Sequence, residues 1–187
     1  MSNLIIENGR VVDGTGQPAF EGSVLVQDGK IAAVGADADT QAAAKPDLKR
    51  IDATGQTVMP GLIDLHVHLT GDPGGDFWKS ATEPTEWGVV VGAKNARITA
   101  LAGFTTVREA GSSQHSAFAL RRGTADGVIP GPRIIAAGPA LAIVGGHGDV
   151  SGFRPEVNEV LTSGYTCTGA VECAEAVRRA GQNGVRS

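Results

Sequence analysis

Two histidines two residues apart, His66 and His68, close an apolar stretch that runs from Val58 to Leu69. If Leu62–His68 is a strand, alternate side chains share a face, and Asp64, His66 and His68 fall on one side with only Val67 between the imidazoles. Imidazole is largely neutral at physiological pH and is the commonest protein ligand for metals, so the pair suits a divalent cation. The competing reading is two solvent-facing residues on an edge strand, or a chance pair in a loop. The run after Pro60-Gly61 predicts a strand buried on both faces, as in a parallel sheet, with the histidines at its C-terminal end. That end is where α/β barrels carry their chemistry.

Other residues are weighed in the same way. Asp64 either orients an imidazole from behind or satisfies nearby backbone amides. His147 lies among glycines in Gly145-Gly-His-Gly-Asp149, where it either binds a substrate carboxylate or carbonyl or is a solvated loop residue. Glu109 ends a predicted strand and either faces the mouth of the fold or pairs with Arg108 or Arg133. Asp72 and Asp76 read as turn residues, His115 as a surface residue, and Cys173 as core on an apolar helical stripe.

The elements that must position these residues change character along the chain. Residues 1–58 read as short strands, expected to form a small β-sandwich segment. Leu4–Ile6 and Arg10–Val12 are separated by the turn signal Glu7-Asn8-Gly9. Ser23–Gln27 and Lys30–Val34 flank Asp28-Gly29, a two-residue hairpin signal. From residue 59 to 187 the rhythm becomes strand, loop, helix. Helices are expected at Glu86–Ala102 (capped by Thr85, with Gly88 and Gly92 packing onto a sheet), at Ser116–Arg122, and at the stripe Ala170, Cys173, Ala174, Val177, Ala180. Strands are expected at Phe104–Glu109 and Arg133–Ala137, with Gly152–Tyr165 as an extended loop and Gly181–Ser187 as the turn into another strand. The expected class is α/β: about the first three strand–helix units of a (β/α)8 TIM barrel behind the β segment. From Gly61 onward 127 residues remain, against the ~250 typical of a closed barrel.

Composition sets outer bounds. With 41% hydrophobic and 19% charged residues, the 187-residue chain can build a packed core. A formal net charge of −4 with no basic stripe argues against a nucleic-acid surface. No run approaches the ~20 apolar residues of a membrane span, and the opening Met-Ser-Asn-Leu-Ile-Ile-Glu is not expected to act as a secretory signal. The expected setting is soluble and cytoplasmic, with Cys167 and Cys173 as free thiols. A disulfide or half of a zinc site stays open, although five intervening residues is not a usual zinc spacing.

Pro60-Gly-Leu-Ile-Asp-Leu-His-Val-His68, behind a small β segment, resembles the amidohydrolase superfamily of metal-dependent hydrolases. Gly103-Phe-Thr-Thr-Val-Arg-Glu-Ala-Gly111, Gly131-Pro-Arg-Ile134 and Gly145–Asp149 resemble its imidazolonepropionase-related, Xaa-Pro dipeptidase-like branch. The resemblance implies a TIM barrel with one or two divalent ions, zinc first among them, though iron and manganese also accept imidazole. It implies His66 and His68 as metal ligands, His147 as a substrate contact, and hydrolysis of a small amide or dipeptide-like C–N bond by a metal-activated water. Homo-oligomerisation is left open.

The same resemblance exposes a shortfall. It implies further ligands: a carboxylated lysine, two more histidines and an aspartate from later strands. The sequence has no lysine after Lys94 and no histidine after His147. Catalytic zinc usually takes three protein ligands. The chain is therefore expected to be the N-terminal portion of such an enzyme. The alternatives are a non-catalytic truncated fragment, or one chain of a split barrel that needs a partner.

Overall fold

The computed structural model describes residues 3–74, 79, 82–112, 115–162 and 164–182. Asp76, Trp78 and the 183–187 end of the expected last turn lie outside the described residues. The chain divides into two compact units, Met1–Pro60 and Gly61–Ser187.

The first unit is built on β1 (Leu4–Val11), β2 (Phe20–Gln27), β3 (Lys30–Val34), α1 (Ala36–Ala43), β4 (Lys49–Asp52) and β5 (Thr57–Val58). They form one five-stranded sheet in the order β3-β2-β1-β4, with β5 also on β1. The β1–β2 and β2–β3 pairings are antiparallel, whereas β4 and β5 run parallel to β1. Asp28 and Gly29 both take positive φ (51° and 76°), as a right-twisted two-residue hairpin demands. The described strands of this segment form one sheet, with Ile5 and Leu25 buried together with Ala38 and Ala42 of α1 and with Leu48. The turn expected at Glu7-Asn8-Gly9 is corrected. Asn8 takes φ 61° at a register shift between Ile6 and Gly9, so the strand bulges and continues.

Asp52 fastens this unit from its surface. Its Oδ1 accepts the Thr54 hydroxyl at 2.7 Å, the Asn8 side-chain amide at 3.1 Å and the Thr54 backbone amide at 3.1 Å. These donors, the Thr54 hydroxyl first, hold its carboxyl below the ordinary carboxylate range. The stabilisation is therefore present above the ordinary aspartate pKa and is lost as pH falls through the depressed folded value. Urea melts of the Asp52→Asn variant should show a flatter acid limb than the parent, with the difference confined to pH below about 4. Parallel acid limbs would remove Asp52 from the account.

The second unit contains β6 (Leu62–Val67), α2 (Trp87–Leu101), β7 (Phe104–Glu109), α3 (Ser116–Ala125), β8 (Arg133–Ala136), β9 (Ala142–Ile143), α4 (Pro155–Leu161), β10 (Thr166–Cys167) and α5 (Gly169–Gln182). The expected strand–helix alternation is present, with β6, β7 and β8 forming a parallel sheet in that order. One face carries Val107 and Glu109 of β7 and Ile134 and Ala136 of β8, all buried. Val107, Ile134 and Ala136 pack with Leu69, Ala96 of α2, and Ala117 and Leu120 of α3. The opposite face carries exposed Arg108, Arg133 and Ile135.

Several expectations give way here. β6 is not buried on both faces: Leu62, Ile63 and Leu65 are exposed, and Ile63 pairs with Thr106, whose side of the sheet also carries the exposed Arg108, Arg133 and Ile135. Gly88 and Gly92 do not pack onto a sheet. A Cβ at Gly88 would meet Ser116 Oγ at 3.1 Å, and one at Gly92 would meet Leu120 Cδ2 at 2.9 Å, so both admit α3. The α2 cap is Glu86 rather than Thr85, with no side-chain cap bond. Gly152–Tyr165 is not wholly extended, since Pro155 at the first turn starts the seven-residue α4. The buried residues of α5 are Ala176 and Ala180, while Val177 is 55% exposed, so its packed face is rotated from the expected stripe. The free-thiol expectation is overturned: Cys167 and Cys173 form a disulfide with Cα atoms 5.1 Å apart, and Cys173 is half-buried. The first turns of α5 bring Cys173 back over the end of β10. Among the described residues no helix is long and apolar enough to cross a membrane.

Candidate functional site

His66 lies one residue before the end of β6 and His68 one residue beyond it. Their ring centroids are 5.3 Å apart with planes at 71°, and both side chains are exposed. The β6–β7 register shifts between Asp64 and Val67, so the strand does not run as a plain alternation through the first histidine. Two bonds set that irregular segment. Asp64 Oδ1 accepts the His66 backbone amide at 3.0 Å, and Arg108 Nε donates to the Leu65 carbonyl at 2.6 Å.

His68 is held more specifically. Its Nδ1 lies 2.8 Å from the Gly111 carbonyl oxygen. A carbonyl offers no proton, so Nδ1 must carry one. In the neutral ring the lone pair is then on Nε2, with the side chain 58% exposed. A histidine that gives one ring N–H to a carbonyl and keeps the other nitrogen free is the arrangement found at protein metal ligands.

Beneath this bond sits Glu109, with no exposed surface. Its Oε2 accepts the Leu69 amide at 2.5 Å, its Oε1 accepts the Gly111 amide at 3.4 Å, and Oε1 stands 3.8 Å from His68 Nδ1. Burial pushes its carboxyl above the ordinary glutamate value, against the two amides and His68, which act in the opposite sense. The pairing weighed for Glu109 with Arg108 or Arg133 does not form. Arg108 belongs to the opposite face of β7 and spends its Nε on Leu65, and Arg133 is cross-strand from Thr106. One signal in the sequence does mark Glu109: it shares the parity of Val107, which puts it on the helix-facing side, where a carboxylate must find donors.

His147 is exposed in the turn after β9. Asp149 organises that turn, its carboxylate accepting the Gly145 and Val150 amides, each at 2.8 Å. Ala140 joins the His147 turn to the His68 end of the sheet. A Cβ built on Gly111 would lie 3.4 Å from the Ala140 Cβ, and one built on Gly148 would lie 3.8 Å from it. Asp72 Oδ1 accepts the Gly74 amide at 3.4 Å, within its own turn. His115 is exposed at the cap of α3, 6.1 Å from the Phe118 ring centroid. Among the described residues no group of three or more His, Cys, Asp or Glu side chains is placed to hold a metal ion.

The pattern of the amidohydrolase family matches residues 57–186, most of the chain and all of the segment that carries these side chains. The chain belongs to the amidohydrolase family. This amidohydrolase chain is 33% identical over 167 residues to an ochratoxinase of Aspergillus niger, an alignment covering 85% of the chain and 32% of that enzyme. Among solved structures it is similar to a prolidase complexed with N-methylphosphonate-L-proline (TM-score 0.77, 27% identity, 98% of this chain and 45% of that one). It is also similar to an Xaa-Pro dipeptidase with methionine in its active site (TM-score 0.75, 26% identity, 98% and 45%). The amidohydrolase chain thus spans about a third of the curated relative and under half of the solved neighbours.

Proposed function

We propose that this chain supplies the first part of the active site of a metal-dependent hydrolase that cleaves amide or dipeptide-like C–N bonds, with His66 and His68 as ligands to a divalent cation, zinc first. The carrying observation is the 2.8 Å bond from His68 Nδ1 to the Gly111 carbonyl, which leaves the lone pair of the neutral ring on Nε2, with the His66 ring centroid 5.3 Å from that of His68. Imidazole nitrogens suit borderline cations such as zinc, so the donors present fit the ion as far as they go. When bound, such an ion supplies Lewis acidity, bringing the pKa of a water toward ~7 and polarising a carbonyl. Asp64 holds the main chain of His66, Arg108 holds Leu65, and the exposed His147 offers a donor to a substrate carboxylate or carbonyl. Similarity to a prolidase and an Xaa-Pro dipeptidase supports dipeptide-like amides as the substrate class.

The two-histidine donor set favours a second reading alongside the first. Catalytic zinc usually takes three protein ligands, and no third donor joins the pair among the described residues; under this reading the chain binds a cation weakly by itself, and turnover requires ligands from further sequence or a partner chain. One experiment tests both. The chain is loaded with zinc, dialysed and analysed for metal, then assayed on an Xaa-Pro dipeptide and on a cyclic amide. Metal retention with dipeptide hydrolysis supports the first reading for this chain, and weak retention without turnover supports the second. No retention at any zinc concentration tested would refute the ligand assignment.

A further inference from the structure

We propose that Glu109 is the positioning residue for His68: by bridging the main chain after β6 to the main chain after β7, it keeps the Gly111 carbonyl on Nδ1 and so holds the imidazole in its Nδ1–H tautomer. The inference deepens the ligand reading given above and rests on it.

The geometry is specific. Leu69, whose amide Glu109 Oε2 accepts at 2.5 Å, is the residue immediately after His68. Gly111 meets Glu109 Oε1 with its amide at 3.4 Å and His68 Nδ1 with its carbonyl at 2.8 Å. A single fully buried carboxyl thus fixes both the backbone that carries the ring and the backbone that orients it. Both amides lie beyond the regular pairing of β6 with β7, so the sheet ladder alone does not hold these two exits together. Without the bridge, Leu69 and Gly111 move independently, and the ring is free to place its proton on Nε2, the nitrogen a cation needs. Partners of this kind around a metal-bound histidine typically change metal affinity 10–100-fold.

The test uses the 187-residue chain with 15N-labelled histidine at about pH 8, above the ordinary imidazole range. Long-range 1H–15N correlation spectra distinguish the two tautomers by their nitrogen shifts. In the parent, His68 should be the Nδ1–H form. Glu109→Ala removes both acceptors and should shift His68 toward the Nε2–H form while His115 and His147 are unmoved. Glu109→Gln keeps an acceptor for Leu69 but not both, and should give an intermediate ratio and about 10–100-fold weaker zinc binding. A merely structural role would lower the melting midpoint without moving the tautomer ratio. If the alanine variant does not fold, the parent and the glutamine variant still decide. A parent in the Nε2–H form, or a folded glutamine variant with the parental ratio, overturns the proposal. Zinc that shifts neither ring of the parent refutes the ligand reading instead, independently of the tautomer comparison.

Discussion

Alanine at both His66 and His68 is expected to reduce divalent-metal retention to background and, in an enzyme that carries the remaining ligands, to lower amide hydrolysis by roughly 10³-fold or more. The magnitude follows from the several kcal/mol that a metal contributes to stabilising developing charge, at 1.36 kcal/mol for each factor of ten. Folding should survive, because both side chains are exposed and exposed substitutions generally stay within about 0.5 kcal/mol. Metal analysis after dialysis, alongside a circular dichroism melt, separates loss of ligands from loss of fold. A folded double variant with parental metal content would end the assignment.

Leu120→Ala is expected to destabilise the second unit by about 2–5 kcal/mol, the usual cost of truncating a fully buried leucine. Leu120 has no exposed surface and packs with Leu69, Ala96, Val107, Ala117, Ile134 and Ala136, which places it where α2 and α3 meet the sheet. The same leucine explains Gly92, since a Cβ there would meet Leu120 Cδ2 at 2.9 Å. Gly92→Ala alone should therefore destabilise by overpacking, on the order of 1–3 kcal/mol. In the double variant the new methyl enters the space that Leu120 vacates, and the combined loss should be smaller than the sum of the two. Urea unfolding of the four proteins measures this coupling. Strict additivity would show that the two side chains do not share that space.

Local pattern carried much of the fold. Phe104–Glu109 is legible as a strand because its turn-bounded β-branched run is short, and Asp28-Gly29 is legible because few dipeptides accept two positive φ angles. What failed was information that lives in neighbours. The apolar character of Leu62–Leu65 does not say whether a second layer covers the sheet, and here Ile63 and Leu65 are exposed. Glu7-Asn8-Gly9 has turn chemistry, but asparagine serves a bulge with the same backbone angle. In α5 valine outranks alanine in hydrophobicity, yet the small side chains Ala176 and Ala180 make the close contact. The Cys167–Cys173 pairing depends on where a helix turn returns the chain, which spacing alone left undecided. At the site, spacing alone marks His66 and His68 as candidates and leaves a solvent-facing pair open, whereas the Glu109 bridge depends on where Leu69 and Gly111 lie in space.

The side chain of Asn95, on α2, donates from Nδ2 to the Leu69 carbonyl at 2.7 Å and to the Gly71 carbonyl at 2.9 Å. The segment leaving the histidines is therefore moored to a helix, and the mooring ends at Gly71. A disturbance at Asp72 or Gly74 meets that anchor before it reaches the imidazoles. Such an anchor insulates the strand end, so an exchange at Asp72 is expected to leave the spacing of the two imidazoles as it is.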